Sequence, residues 1–417
     1  MLTNAPRGTK DMLPSQAYKW HYVEGKFREI CSRYGFYEIR TPMFEHTELF
    51  QRGVGGSTDI VRKEMYTFED HGKRSITLKP EGTAPVVRAF IENKLYAETQ
   101  PQKYYYITPC FRYEKPQAGR LREFHQFGIE VFGTSSMIAD AEVICLAKDF
   151  LTSVGITNVV LYINSVGCPN CRSVYRDALR EFLKPHYDEL CDDCKERYEK
   201  NPMRILDCKV DSCQEIVKDA PKMIDYLCDD CRSAFKSLQD NLDALGIEYE
   251  IDPGIVRGLD YYTKTAFEFV TDDLGAQSTV CGGGRYDDLI SVVGGPDTPG
   301  VGFGLGIERL LLMMENAGIE IPSEKPAAAL IAFMGDRAKA YALKLSREYR
   351  SRGLNVMIDD LERGLKGQLK YADRIKAGYV VIIGDDELEK GKATLRNMNK
   401  SEQTEVPFEE LFDALQK

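Results

Sequence analysis

The chain has 417 residues, 43% of them hydrophobic, with a formal net charge of −10 and a pI near 5.3. This length supports two or three domains with real cores, and the charge excludes a positive blanket over the whole surface while allowing a local basic face. The opening "MLTNAPRGTKDMLP" lacks a signal peptide's apolar stretch and no segment approaches the ~18 apolar residues of a membrane span, so a soluble cytoplasmic protein is expected.

A helix is predicted from about Ser15 to Tyr34, where Tyr18, Tyr22, Val23, Phe27 and Ile30 recur at helical spacing and Gly35 ends the run. In "LKPEGTAPVVRAF", Glu81 precedes Gly82 and Thr83 in a turn before an apolar helix start. Glu81 could receive an ammonium group there; helix capping by Thr83 explains the same residues equally well. Two runs of strand formers follow, "KYYYITPCFRYE" and "EFHQFGIEVFG". They are joined by "KPQAGRLR", whose Pro116 and Gly119 mark a loop.

Strand parity makes this pair informative. Paired as an antiparallel hairpin, the strands place Arg112, Gln126 and Glu130 on one surface and Phe127, Ile129 and Val131 in the core. A cation, an amide and a carboxylate on one floor suit a zwitterionic or phosphorylated ligand. A solvated polar face would show the same parity, but Phe124 and Phe132 share this surface, which suggests a pocket. Lys115, Arg120 and Arg122 in the connecting loop are cations suited to a triphosphate.

Residues 136–152 read as a helix and "NVVLYIN" as a strand. Between about Gly167 and Gly246 lies a mostly helical insertion holding "CPNC", "CDDC", "DCKVDSC" and a second "CDDC". Taken in chain order, the cysteines form two four-thiol sets: Cys168, Cys171, Cys191 and Cys194, then Cys208, Cys213, Cys228 and Cys231. Pairs that cross over are equally compatible with the spacing. Each C-x-x-C pair offers two thiolates to one tetrahedral ion, so structural Zn²⁺ is the candidate metal. Reduced, unused thiols are the alternative, and the flanking aspartates add negative charge that a zinc–thiolate centre does not favour. Cys31, Cys110, Cys145 and Cys281 read as core residues.

Beyond the insertion come "RGLDYYT", the strand-like "TAFEFV", the glycine cluster "CGGGRYDDLI", and "GVGFGLGIERLLLMM", a strand breaking into an amphipathic helix. After the linker "IPSEKPAAA", strand and helix patterns alternate, which predicts a small α/β domain with a largely parallel sheet. Residues 325–417 hold 17 Lys/Arg and 15 Asp/Glu, so this end is about +2 and the remainder about −12.

These motifs together resemble the bacterial histidyl-tRNA synthetases, which are class II aminoacyl-tRNA synthetases, over essentially the whole chain. The resemblance rests on "RGTKDMLP", "KPEGTAPVVRA", "FRYEKPQAGRLREFHQFGIEVFG", "RGLDYYT", "CGGGRYDDL", "GVGFGLGIERLLL" and "GLKGQLKYADRIKAGYVVIIGDDEL", in family order. It implies a catalytic domain, residues 1–324, on a six-stranded antiparallel sheet flanked by helices and carrying the insertion at 167–246. An α/β anticodon-binding domain at 325–417 would follow. It also implies a homodimer and tRNA(His) as partner, with the insertion near the tRNA acceptor stem; it implies no metal there.

The implied reaction joins L-histidine to ATP as histidyl-adenylate, with Mg²⁺ on the β- and γ-phosphates, and then passes the histidyl group to tRNA. The resemblance implies that Arg112 and Arg257 grip the α-phosphate from two sides, as metal ions do in relatives, and that Arg309 holds the γ-phosphate. Glu114 and Arg120 would complete the ATP site, and Gly302, Gly304 and Gly306 would let the adenine approach. Glu81, Gly82 and Thr83 would hold the substrate's amino group, and Gln126 its carboxylate. Glu130 and Tyr262 would bond the imidazole, walled by Tyr261 and Tyr286. Strict alternation would send Arg257 and Tyr262 to opposite faces, so a turn or bulge is expected at Gly258. A paralogue regulating ATP phosphoribosyltransferase is disfavoured because the three arginines and the last domain are retained. A synthetase for another amino acid is disfavoured by "RGLDYYT" and "CGGGRYDDL".

Overall fold

Pro14–Arg33 form the first helix of a computed structural model that describes residues 3–56, 58–206, 208, 210–255, 261–271, 279–323, 326–400 and 402–416. Pro14 suits the helix start because its missing N–H costs nothing there, and Val23, Phe27, Ile30 and Cys31 form the buried stripe. Tyr18 and Tyr22 are only half-buried. The chain divides into two compact units, Met1–Pro322 and Ser323–Lys417.

The main sheet of the first unit orders its strands Tyr37–Glu38, Gln102–Phe111, Glu123–Phe132, Gly300–Gly306, Thr279–Arg285, Thr263–Val270, Val160–Ser165 and Glu250–Ile251. The six inner strands pair antiparallel throughout. The two outer strands, two residues each, pair parallel. The expected six-stranded antiparallel sheet is therefore corrected to a mixed sheet of eight. The added edges are too short to carry an alternation, which is why the sequence does not announce them. A separate three-stranded antiparallel sheet, Phe44–His46, Ser75–Leu78 and Tyr66–Glu69, was also not foreseen.

One face of the main sheet is covered by helices Pro14–Arg33, Met137–Ser153, Asp229–Ala244 and Ile307–Asn316, and Phe127, Ile129 and Val131 point into that core. Phe27 stacks on Phe127 with ring centroids 4.4 Å apart. Covering one face with apolar side chains leaves the opposite face, with its glycines and charges, to shape a site. The insertion contributes helices Pro169–Leu183, Asp192–Lys200, Asp211–Val217 and Asp229–Ala244, as its composition predicts.

The second unit has a five-stranded sheet in the order Val356–Ile358, Ala329–Phe333, Tyr379–Ile383, Lys392–Asn397, Gln403–Pro407. Its first three strands are parallel and the last two join antiparallel, so the expected largely parallel sheet is half right. The hairpin "KATLRN"/"QTEVP" has too many polar residues on both faces to read as strand. Among the described residues, no helix is long and apolar enough to cross a membrane.

Candidate active site

Gln102–Phe111 and Glu123–Phe132 pair antiparallel, with Tyr104 opposite Glu130, Tyr106 opposite Gly128 and Thr108 opposite Gln126. On the other side of Glu123–Phe132, Gly302, Gly304 and Gly306 lie opposite Glu130, Gly128 and Gln126. A period of two thus aligns large polar groups on one strand with glycines on the next.

The glycines make room. A Cβ on Gly302 would fall 2.1 Å from Glu130 Oε2 and 2.2 Å from the Ile129 carbonyl oxygen. A Cβ on Gly82 or on Gly128 would fall 2.2 Å from the Tyr106 ring. Gly302 therefore leaves room for a carboxylate, and of these three glycines Gly304 and Gly306 line the cavity described below. Gly82 likewise accommodates Tyr106.

Glu130 is fully buried and accepts a hydrogen bond from the Tyr106 hydroxyl at 3.1 Å and another from the Tyr286 hydroxyl. Burial pushes its carboxyl up to about 8, against the pull of the Tyr286 and Tyr106 donors. Tyr261 packs tilted against Tyr262 at 4.8 Å and edge-on to Tyr286 at 5.5 Å, so aromatic rings surround this carboxylate's neighbourhood. Tyr286 is itself fixed from next door. Arg285, fully buried, donates to Asp140 and Asp287 and to the carbonyls of Thr134 and Ser136.

Glu81 is buried just before helix Thr83–Glu92 and accepts the backbone N–H groups of Thr83 at 2.8 Å and Ala84 at 2.9 Å. The helix is thus capped by Glu81, where capping by Thr83 was the alternative. Burial raises the Glu81 carboxyl's pKa while these amides lower it.

Arg112 donates from Nε to the Pro80 carbonyl at 2.8 Å and lies over the Phe124 ring at 5.2 Å. Arg120 pairs with Glu114, and Arg309 donates from Nη1 to the Thr279 carbonyl at 2.6 Å. Burial and the neighbouring Arg120 lower the Arg309 pKa. A cavity of about 290 Å³ is walled by these three arginines with Glu81, Thr83, Glu114, Gln126, Tyr261, Tyr262, Gly304 and Gly306. Tyr106 also lines it, a residue sequence reasoning missed although its parity with Tyr104 and Cys110 placed it on the right face. Arg122 instead packs on Tyr113 and donates to the Glu114 carbonyl, so of the loop cations only Arg120 reaches the cavity wall. Arg257 and Gly258 lie outside the described residues.

The cysteines of the insertion gather as Cys168, Cys171, Cys228 and Cys231, and as Cys191, Cys194, Cys208 and Cys213, with the sulfurs of each set within 4.8 Å of one another. The chain-order sets are thereby overturned in favour of nested ones. The reason is mechanical. Helix Pro169–Leu183 has 15 residues, a span of roughly 22 Å, and carries the chain away from Cys168 before Cys191 is reached. The chain returns along the same helix, where Tyr175 donates to the Pro221 carbonyl at 2.8 Å, and brings Cys228 back to the start. Cys31, Cys110 and Cys281 are buried and Cys145 is half-buried.

The model of a family described as histidyl-tRNA synthetase matches residues 8–310, and that of an anticodon binding domain matches residues 328–417. The chain is 62% identical to the histidine--tRNA ligase of Caldanaerobacter subterraneus subsp. tengcongensis, covering 100% of both chains. It is 57% identical to that of Clostridioides difficile, covering 100% of this chain and 99% of the other. The crystal structure of apo S. aureus histidyl-tRNA synthetase is similar with a TM-score of 0.85 at 42% identity, covering 99% of this chain and 100% of that one.

Proposed function

The chain belongs to the histidyl-tRNA synthetase family, and on that premise we propose that it ligates L-histidine to tRNA(His) in two steps at the cavity walled by Glu81, Arg112 and Arg309. In the first step a histidine carboxylate oxygen attacks the α-phosphorus of ATP. A P–O bond forms as the bond to pyrophosphate breaks, leaving histidyl-adenylate. In the second, a hydroxyl of the terminal tRNA ribose attacks the acyl carbon and AMP departs.

Histidine enters with its ammonium group toward Glu81 and Thr83. Each Glu81 oxygen already accepts one amide and retains a lone pair for the ligand. Gln126 takes the carboxylate side, and the imidazole reaches Glu130 and Tyr262, with Tyr261 and Tyr286 as walls. Arg112 and Arg257 share the α-phosphate, where charge gathers in the transition state. Arg309 takes the γ-phosphate, and Gly304 and Gly306 leave space for the nucleoside. ATP would arrive as its Mg²⁺ complex; Glu114, a carboxylate on the cavity wall beside Arg120, would face that ion, which would supply charge neutralisation to the phosphates. No side chain need act as nucleophile, so rate enhancement comes from orientation and fixed charge.

The observation that carries the reading is a fully buried Glu130, held by two phenols, directly behind a cavity walled by arginines. A pocket built to bond an imidazole rejects side chains that would leave that carboxylate unpaired, worth ~10⁴-fold in favourable cases. The unit spanning 328–417, which matches an anticodon binding domain, supplies the second tRNA contact, and a homodimer in the cytoplasm is the form in which the enzyme would act. ATP–pyrophosphate exchange with each amino acid in turn tests the proposal. Exchange confined to histidine supports it; exchange with a different amino acid, or with none, refutes it.

A further inference from the structure

We propose that the insertion binds two mononuclear zinc ions, one in each nested cysteine set, and that the outer ion positions the histidine pocket through Arg172. The second half rests on the functional reading above; the first does not.

Tetrahedral zinc with bonds of 2.3 Å separates its thiolates by about 3.8 Å. In the structure the sulfurs lie 3.5 Å apart for Cys168–Cys171, 4.0 Å for Cys168–Cys228 and 3.8 Å for Cys191–Cys208. A polynuclear iron–sulfur cluster divides its thiolates among several irons and spaces them more widely. Four thiolates leave a zinc centre with a net charge of −2, and the surroundings offset it. Cys168, Cys191 and Cys228 each sit at the N-cap of a helix, where the dipole is positive. Backbone N–H groups of Cys228, Cys191 and Val210 point at Cys171, Cys213 and Cys208 sulfurs at 3.1, 3.3 and 3.5 Å. These donors answer the objection raised by the neighbouring aspartates. The repeated "LCDDC" supplies one half of each set, with Leu190 and Leu227 buried beneath.

Among the described residues, five of the twelve buried members of the insertion's own apolar cluster are cysteines, so the thiols occupy much of its centre. The outer set is also wired to the pocket. Arg172, the residue after Cys171, donates to the Tyr262 carbonyl at 3.1 Å. The Lys264 amide donates to the Gly167 carbonyl at 2.9 Å, so the residue preceding Cys168 is held against the strand that begins at Thr263.

Metal analysis of protein purified without chelator should find two zinc ions per chain. One or fewer, or iron in zinc's place, overturns the proposal. In the double variant Cys168→Ser/Cys228→Ser, nested sets predict one remaining zinc, whereas chain-order sets predict none. Should that variant fail to fold, Co²⁺ exchanged into the wild-type protein tests the sites themselves: a tetrahedral tetrathiolate spectrum saturating at two equivalents supports them, and an octahedral spectrum removes them. Arg172→Ala should keep both zinc ions and raise the histidine KM roughly fivefold with the ATP KM and kcat unchanged. An unchanged histidine KM overturns the positioning role alone. The zinc count holds whichever amino acid is activated, so failure of the functional reading and failure of the metal sites are separately visible.

Discussion

Gly302 lies directly opposite Glu130 in the sheet, and a single added carbon at Gly302 would sit 2.1 Å from the Glu130 carboxylate. Gly302→Ala should therefore displace Glu130 and raise the histidine KM about 100-fold while the ATP KM stays put. Gly304→Ala is the contrast. Its Cβ would meet only the Gln126 amide, at 3.5 Å, and would intrude where the nucleoside is placed. Its larger effect should fall on the ATP KM. Steady-state exchange kinetics on the two variants separates the cases.

Glu130→Ala should abolish histidine activation and leave ATP binding intact. Calorimetric ATP binding with exchange measured in parallel checks both halves; retained histidine activation would remove Glu130 from the recognition role.

The pH dependence of histidine binding should be bell-shaped. With the Glu130 carboxyl at about 8 in the empty pocket and free imidazole near 6.5, the two carry one proton between them from about pH 6.5 to 8. A bound pair sharing that proton forms there with no net exchange. Below this window both partners are protonated and binding must release a proton; above it both are deprotonated and binding must take one up. Affinity should fall on both sides, and Glu130→Gln should lose the alkaline limb. A flat profile from pH 6 to 9 would contradict the shared proton.

Tyr106→Phe removes one of the two hydroxyls bonded to Glu130 and changes nothing else in size. An ordinary hydrogen bond contributes about 0.5–1.5 kcal/mol, so the histidine KM should rise roughly 2- to 10-fold. Exchange kinetics at fixed ATP measures it.

Asp140→Ala would leave the Arg285 guanidinium buried without its main counter-charge. Breaking such a pair costs about 3–5 kcal/mol, a loss that chemical denaturation should show as a lower midpoint with little change in slope.

Much of this site was legible as parity. Arg112, Gln126 and Glu130 share a face because strands alternate, and Phe127, Ile129 and Val131 fall on the other for the same reason. Tyr106 obeys the same rule and was readable by it. What alternation cannot say is which neighbour's missing Cβ a side chain fills, so the seating of Glu130 against Gly302 is visible only in the structure. The partnership of Arg285 with Asp140 joins residues 145 apart in sequence and leaves no local trace. The nesting of the cysteines depended on the length of one helix, a quantity the sequence contains but the C-x-x-C spacing does not.

One thiol set encloses the other along the chain, so their failures would not be equivalent. With zinc in both sets, loss of the inner ion would loosen the stretch between Cys191 and Cys213, whose flanks would stay joined through Cys171 and Cys228. Loss of the outer ion would instead leave the excursion held by contacts such as Arg62 with Glu196 and Arg197 with Asp59.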